Sequence, residues 1–182
     1  MKYIALLRGI NVGGNSPIKM ADLKAAVIRI GFRNVITYIQ SGNVIFESEE
    51  KDAAKIAALL EDNLSKTFKI RLRVIVKTFE QFKKIVTGVP AAWKKRNDLR
   101  CYLGFVREPV TAQEVAHETQ PREGIDFIEI GEGVLYMSTV LSGLTKSGLS
   151  KLAAKEIYQD ISMRNYRTAQ KILGLMERKV DV

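Results

Sequence analysis

The fold is decided by the stretch VITYIQSGNVIF, which runs from Val35 to Phe46. Two β-branched and aromatic runs, Val35–Ile39 and Val44–Phe46, flank Ser41-Gly42-Asn43. Glycine and asparagine tolerate the positive φ angles that tight hairpin turns require. The stretch therefore predicts a β-hairpin.

A strand and an amphipathic helix precede the hairpin. Lys2–Leu7 is apolar on both strand faces, which is typical of a buried central strand. A helix follows, with Gly31 at its C-terminal end and a core face made of Leu23, Ala26, Val27 and Ile30. Ser16 and Pro17 suit its N-terminus, although the regular helix is expected nearer Met20.

A second helix and a further strand follow the hairpin. The helix has its apolar residues at Ile56, Leu59, Leu60 and Leu64. The strand Ile70–Val76 places Leu72, Val74 and Val76 on one face, with Arg71 and Arg73 on the other. The order β-α-β-β-α-β predicts a ferredoxin-like half over residues 1–88.

The remaining residues repeat part of this pattern. Thr78 and Gln81 predict a capping box for a short helix ending at Val86, and Gly88–Asn97 is interpreted as a linker. Strands are expected at Leu99–Val106, Asp126–Ile130 and Val134–Val140, and helices after Thr111 and at Leu149–Gln159 and Tyr166–Glu177. No eighth strand is evident. The prediction is an α+β protein, with a second, incomplete ferredoxin-like half plus C-terminal helices over 89–182.

Composition bounds the class of protein. The chain has 182 residues, is 46% hydrophobic and has no apolar run long enough for a membrane helix. The short apolar stretch Met1–Leu7 ends at Arg8 and is not expected to be a signal peptide. Cys101 is the single cysteine, so no disulfide can form within the chain. These features predict a cytoplasmic protein with no membrane partner.

The charge is strongly positive and uneven. The net charge is +9, and residues 1–90 carry 15 Lys/Arg against 8 Asp/Glu, a net of +7. A basic surface attracts phosphates, nucleic acid or acidic partners without selecting among them. The same charge also suits a surface that only keeps the protein soluble.

The strand order predicts one candidate binding edge. Strands one and two of a ferredoxin-like half run parallel, so the loop Arg8–Asn15 should lie beside the turn Gln40–Asn43. The first helix also begins there, and its N-terminal dipole favours an anion. Arg8 can form a bidentate contact with phosphate, and Gly13 and Gly14 allow close backbone approach. Asn11, Gln40, Ser41 and Asn43 add hydrogen-bonding groups.

A structural reading of the same residues stays open. Glycine and asparagine are the usual turn formers, and Arg8 could pair with a carboxylate. The loop has neither a complete GxGxxG nor a Walker pattern.

A second polar cluster, Arg164-Asn165-Tyr166-Arg167-Thr168, lies near the C-terminus. Asn165 is suited to cap the last helix, and Arg164 and Arg167 could meet an anion at its start. The alternative is a capped surface helix with solvated arginines. The candidate ligand-binding residues are therefore Arg8, Asn11, Gly13, Gly14, Gln40, Ser41, Asn43, Arg164, Asn165 and Arg167.

The residue census does not support hydrolytic triads or a structural zinc site. The single histidine, His117, is expected on a helix, and Cys101 is expected to pack in an apolar strand. Ser41 has no adjacent base. Asp126 and Glu129 show no metal spacing and are interpreted as a solvated strand face.

An RNA-recognition motif shares the β-α-β-β-α-β order but needs stacking aromatics on its central strands. The third strand, Val44-Ile45-Phe46, lacks the Lys/Arg-Gly-Phe/Tyr type of run. The first strand is apolar on both faces, so its open face is expected to be covered. Nucleic-acid binding through basic patches stays an alternative.

The stretches from Arg8 to Gly14, Thr37 to Phe46 and Arg164 to Leu173 together resemble a bacterial family of uncharacterised cytoplasmic proteins, a domain of unknown function. The family's C-terminal signature usually reads Thr-Arg-Asn-Trp-x-Thr, whereas this chain has Met163 and Tyr166 at two of those positions. The resemblance implies two ferredoxin-like halves and suggests that loop, turn and C-terminal helix start form a joint site. It implies no activity.

Three functional hypotheses follow. The first is a protein that binds a phosphate-bearing or otherwise anionic small molecule at the predicted edge. The second is an enzyme that uses positioning and electrostatics without a triad. The third is nucleic-acid binding, and a domain that packs against a partner also stays open. The residues do not identify a cofactor.

Overall fold

The computed structural model describes residues 1–11 and 18–178. Its contacts divide the chain into two compact units, Met1–Lys83 with Ile172–Val182, and Lys84–Lys171. Each unit contains a four-stranded antiparallel sheet, so the α+β class is confirmed. The last helix contributes to both units, and the domain division expected after residue 88 stays a prediction.

The first unit has the predicted ferredoxin-like topology. Its sheet has the order β2-β3-β1-β4, in which β1 is central and β3 pairs antiparallel with both β1 and β2. The elements are β1 Lys2–Arg8, α1 Met20–Arg29, β2 Arg33–Tyr38, β3 Asn43–Glu47, α2 Ala53–Phe68 and β4 Arg73–Thr78.

One face of this sheet forms a core with α1 and α2. Tyr3, Ala5 and Leu7 of β1 belong to it, together with the buried stripe of α1. On α2 the buried residues are Ile56, Leu60 and Leu64. Leu59, which was expected on the same stripe, is 45% exposed because it lies beside the buried face.

Helix ends in this unit follow local sequence signals. Asp52 caps α2 by accepting hydrogen bonds from the N–H groups of Ala54 and Lys55. At the C-terminal end of the last helix, α6 (Tyr166–Glu177), Lys2 Nζ donates to the carbonyls of Met176 (2.6 Å) and Arg178 (3.0 Å). A lysine there satisfies carbonyls that lack an intrahelical partner.

The second unit repeats the same sheet order, β6-β7-β5-β8. Its strands are β5 Leu99–Val106, β6 Asp126–Gly131, β7 Val134–Val140 and β8 Ile161–Asn165, and α5 spans Ala112–Glu118. The predicted capping boxes are both present, at Thr78–Gln81 before α3 (Phe79–Thr87) and at Thr111–Glu114 before α5.

The eighth strand corrects the prediction of an incomplete second half. β8 pairs with β5, with Ile161 opposite Val106 and Met163 opposite Gly104. Its other face carries Ser162 and Arg164, which are almost fully buried. A five-residue strand with a buried arginine shows little of the apolar alternation by which strands are recognised.

Two other predicted segments also differ. The helix expected at Leu149–Gln159 is replaced by short 3-10 turns at Leu149–Ala154 and Glu156–Asp160, separated by the extended residue Lys155. The segment interpreted as a linker contains a short helix, α4 Ala91–Lys95. Its Trp93 is buried and packs edge-on against Tyr136 and Tyr166, with ring centroids 5.9 and 5.3 Å apart.

Candidate ligand-binding edge

The ends of β1 and β2 meet at one edge of the first sheet, as the strand order predicts. Asn43 of β3 lies opposite both Leu6 of β1 and Tyr38 of β2. The N–H of Leu7 donates to the carbonyl of Gly42 at 2.8 Å. The residues that follow β1 therefore lie beside the turn that follows β2.

Asn11 ties the loop after β1 to that turn. Its Nδ2 donates to the carbonyls of Ile18 (2.9 Å) and Gln40 (3.0 Å), and its Oδ1 accepts from the N–H of Ile18 (2.7 Å). Its φ of 54° is a conformation that asparagine tolerates well. The Asn11 side chain thus joins Ile18 to the turn at Gln40.

Asn11→Ala is expected to lower the free energy of unfolding by about 2 kcal/mol, because three hydrogen bonds lose their partner. Asn34→Ala is the matched control, since Asn34 also has positive φ (52°) but makes one exposed side-chain bond, to Glu47. It should cost less than about 1 kcal/mol. Urea denaturation measures both, and equal losses would contradict the anchoring role of Asn11.

Asn43 is also occupied within the fold. It is fully buried, and its Nδ2 donates to the Tyr38 carbonyl (3.0 Å) and to Ser41 Oγ (2.9 Å). Both bonds lie across the hairpin turn. The observed contacts of Asn11 and Asn43 are therefore structural, and the ligand contacts expected of them stay predictions.

Gly42 allows the turn to pack closely on the preceding loop. Its φ is 73°, and a Cβ at this position would lie 2.8 Å from both Leu7 Cβ and Ile10 Cδ1. Ile10 is almost fully buried. The contact between loop and turn thus depends on a residue without a side chain.

Two arginines lie opposite each other where β1 ends. The register of β1 and β4 pairs Arg8 with Arg73, so both side chains share one face of the sheet. Both residues are half-buried. Arg73 was not among the predicted site residues, although its alternation with Leu72 and Val74 already indicated the face on which it lies.

The other predicted residues of this edge are Gln40 and Ser41 of the turn, and Gly13 and Gly14 of the loop. Gln40 is exposed and Ser41 is half-buried on the turn. α1 begins at Met20, and the side chain of the preceding residue, Lys19, makes no capping hydrogen bond. Gly13 and Gly14 lie outside the described residues.

The C-terminal cluster belongs to the second unit. Arg164 is 7% exposed, and its Nη1 donates to Ser162 Oγ (3.0 Å) and to the Met163 carbonyl (2.8 Å). Asn165 Oδ1 accepts from the N–H of Arg167 (2.9 Å), which gives it the predicted capping contact at the start of α6. Arg167 is exposed. The joint site with the first unit stays a prediction.

Comparison with known proteins places the chain in a family. Residues 1–136 match the family described as protein of unknown function (DUF1697). The chain belongs to the DUF1697 family. The matched residues of this DUF1697 chain include the loop, the turn and Arg73, whereas the C-terminal cluster lies beyond them.

One solved structure supports the fold of this DUF1697 chain. The conserved bacterial protein SP0830 from Streptococcus pneumoniae matches with a TM-score of 0.84 and 25% identity, over 97% of this chain and 98% of that one. An unknown protein from Galdieria sulphuraria matches with a TM-score of 0.27 and 13% identity, over 90% and 96% of the chains. No curated protein matches. No described helix is long and apolar enough to cross a membrane.

Asp126 of this DUF1697 chain corrects the interpretation of a solvated strand face. It is 6% exposed, and each of its oxygens accepts two hydrogen bonds. Oδ1 receives Thr139 Oγ1 (2.8 Å) and Ser147 Oγ (2.7 Å), and Oδ2 receives the N–H groups of Arg122 (2.9 Å) and Gly148 (2.8 Å). Sequence spacing gave no sign of these donors, because they come from four separate positions.

These bonds set the ionisation of Asp126. Burial alone would raise the pKa of the carboxyl group, but the four donors outweigh it and hold the pKa below its ordinary value. Asp126 is therefore an ionised carboxylate at neutral pH that fastens the 122–126 and 147–148 segments to β7. Glu129, three residues along the strand, is exposed.

Cys101 and His117, the single cysteine and the single histidine, lie within regular secondary-structure elements. Cys101 is half-buried in β5, and burial raises the pKa of its thiol to about 11. A thiol with this pKa is almost entirely protonated at neutral pH, and it is the thiolate that acts as a nucleophile. His117 is exposed in the last turn of α5.

Proposed function

We propose that this DUF1697 chain binds a phosphate-bearing small molecule at the edge of the first sheet. Arg8 and Arg73 hold the anion, and Gln40 and Ser41 of the turn orient it. The observation that carries the proposal is the register that puts Arg8 directly opposite Arg73, next to a turn of hydrogen-bonding residues.

Electrostatics favours an anion at this pair. Side chains directly opposite on antiparallel strands have Cβ atoms about 5 Å apart, so one phosphate can reach both guanidinium groups and match their paired N–H donors. The N-terminus of α1 adds a favourable dipole at the same end of the sheet.

A small ligand fits this sheet better than a nucleic-acid strand, because β1 offers no stacking platform. Tyr3, Ile4, Ala5 and Leu6 are all fully buried, so both faces of the central strand are covered. Recognition motifs for single-stranded RNA need exposed aromatics on the central strands. The net charge of +9 then serves to attract an anionic metabolite in the cytoplasm.

The test is a titration of full-length protein with inorganic pyrophosphate, read by melting temperature and calorimetry. Pyrophosphate should raise the melting temperature of the wild type. Arg8→Ala should weaken binding roughly tenfold to a hundredfold, since a charged hydrogen-bond partner contributes about 1.5–3 kcal/mol. Arg29→Ala, at the far end of α1, removes the same charge elsewhere and should leave binding unchanged.

Several results would refute the proposal. One is a wild type whose melting temperature is unaffected by pyrophosphate, nucleotides and sugar phosphates. Another is an Arg8→Ala protein that melts far below the wild type without ligand, which would make Arg8 structural. Equal weakening by Arg8→Ala and Arg29→Ala would indicate non-specific attraction by the net charge.

A further inference from the structure

We propose that the outer edge of β6 binds an extended peptide segment of a partner protein. The segment adds a strand to the second sheet and inserts one aliphatic side chain into a pocket beside Phe127. This surface lies in the second unit and does not depend on the proposed anion site.

The backbone of β6 presents unpaired groups along this edge. β6 is the outermost strand of its sheet, and the N–H of Val140 donates to the carbonyl of Ile125 at 2.9 Å. Hydrogen-bonded pairs alternate along an antiparallel ladder, so Phe127 and Glu129 bond to β7, whereas Ile128 and Ile130 direct their N–H and C=O groups outward. No hydrogen bond from elsewhere in residues 1–11 and 18–178 reaches those backbone groups.

Two large apolar side chains of this edge are exposed. Phe127 is 42% exposed on one face of the strand and Ile130 is 50% exposed on the other. Natural edge strands are commonly protected by charged side chains, proline or a bulge; β6 has one exposed charge, Glu129, and neither a proline nor a bulge. A docked strand would cover both side chains and satisfy the outward backbone groups.

A pocket adjoins the same strand. Its volume is about 110 Å³, which is room for one branched aliphatic side chain, and its walls include Trp93, Tyr136, Leu99 and Phe127. Side chains of an added strand that lie opposite Phe127 and Glu129 point to this face of the sheet. Backbone pairing and a side-chain pocket together are how strand-adding domains combine affinity with specificity.

The charge of Glu129 selects the occupant. In a two-fold pairing of β6 with a second copy that joins Ile128 to Ile130 in both directions, Glu129 would face its own equivalent. Like charges directly opposite are destabilising. When Ile128 pairs with its own equivalent, Glu129 faces the second copy's Phe127 and gains no cation. A different partner is favoured, with an aliphatic residue opposite Phe127 and, two positions away, a lysine or arginine opposite Glu129.

The fluorescence of Trp93, the single tryptophan of the chain, reports directly on the pocket. The probe is a blocked octapeptide, Thr-Thr-Lys-Thr-Leu-Thr-Val-Thr, added to full-length protein; in an antiparallel pairing with β6 its leucine lies opposite Phe127 and its lysine opposite Glu129. Its addition should change the emission saturably. Affinity should fall at least tenfold when alanine replaces the leucine or glutamate replaces the lysine. N-methylation of the two threonines that flank the leucine should abolish binding.

Two variants test the edge itself. Ile130→Pro removes an outward N–H without removing a ladder bond, so it should weaken peptide binding at least tenfold. Ile130→Thr keeps the N–H and should bind within threefold of the wild type. Circular dichroism checks that both are folded.

The proposal is overturned if no peptide gives a saturable response or if N-methylation has no effect. Equal affinity of the folded Ile130→Pro and Ile130→Thr proteins would also overturn it. A dimer in sedimentation that Ile130→Pro converts to monomer would assign the edge to a second copy instead.

Discussion

Asp126→Ala is expected to lower the free energy of unfolding by about 4 kcal/mol, because four donors that now meet one carboxylate lose their acceptor. Two of these donors, the N–H groups of Arg122 and Gly148, cannot rotate toward another partner. Urea denaturation followed by circular dichroism measures the loss.

Asp126→Asn is the matched control, because its amide can satisfy the same geometry. The amide oxygen can accept from Arg122 and Gly148, while its NH₂ group donates to the hydroxyls of Thr139 and Ser147. The hydrogen-bond count is kept and the charge is lost, so the expected cost is about 1–2 kcal/mol. Equal losses in the two variants would mean that the carboxylate geometry does not stabilise the fold.

The same pair of proteins gives a pH dependence. The pKa of Asp126 is lowered in the folded state, so its contribution is fully present above the ordinary aspartate pKa of about 4 and is lost as the pH falls through the lower folded value. The stability difference between wild type and Asp126→Asn should therefore be constant above about pH 5 and shrink below about pH 4. A stability difference that grows on acidification would contradict a lowered pKa of Asp126 in the folded state.

Gly42→Ala should destabilise the protein by about 3 kcal/mol. Positive φ alone costs an alanine about 1 kcal/mol, and a Cβ 2.8 Å from Leu7 Cβ and Ile10 Cδ1 forces the loop away from the turn. The change acts at the candidate edge, so pyrophosphate binding should weaken together with stability.

Gly9→Ala is the control that separates the backbone strain of a positive φ from the close packing at Gly42. Gly9 also has positive φ (81°), but no described atom lies within 4 Å of an added Cβ. This variant should cost only about 1 kcal/mol, the strain alone. Thermal denaturation of both variants measures the difference, and equal costs would contradict the close packing of loop and turn.

Much of the first unit could be predicted because its signals are local and periodic. The Gly42–Asn43 turn, the amphipathic stripes of α1 and α2 and the Thr78–Gln81 box each depend on neighbouring residues. The proximity of the loop to the turn followed from strand order alone. Arg73 was assigned to the correct strand face, but its position opposite Arg8 was not predicted, because the register of two strands distant in sequence cannot be derived from a local pattern.

The errors share a physical cause, which is burial by contacts that local sequence patterns do not reveal. β8 was missed because Ser162 and Arg164 are polar yet buried, which removes the apolar signal of a strand. Asp126 was interpreted as solvated because its donors lie at 122, 139, 147 and 148. Trp93 makes the predicted linker a packed segment through contacts with Tyr136 and Tyr166.

The hydrogen bonds that Lys2 donates at the end of α6 have a consequence for synthesis on the ribosome. Met176, the partner of Lys2, follows it by 174 positions, which takes roughly 10–35 seconds to translate at ordinary elongation rates. The unit Lys84–Lys171 is continuous and is translated entirely within that interval. The unit that contains Lys2 can therefore be completed only after the whole of the unit Lys84–Lys171 has been translated.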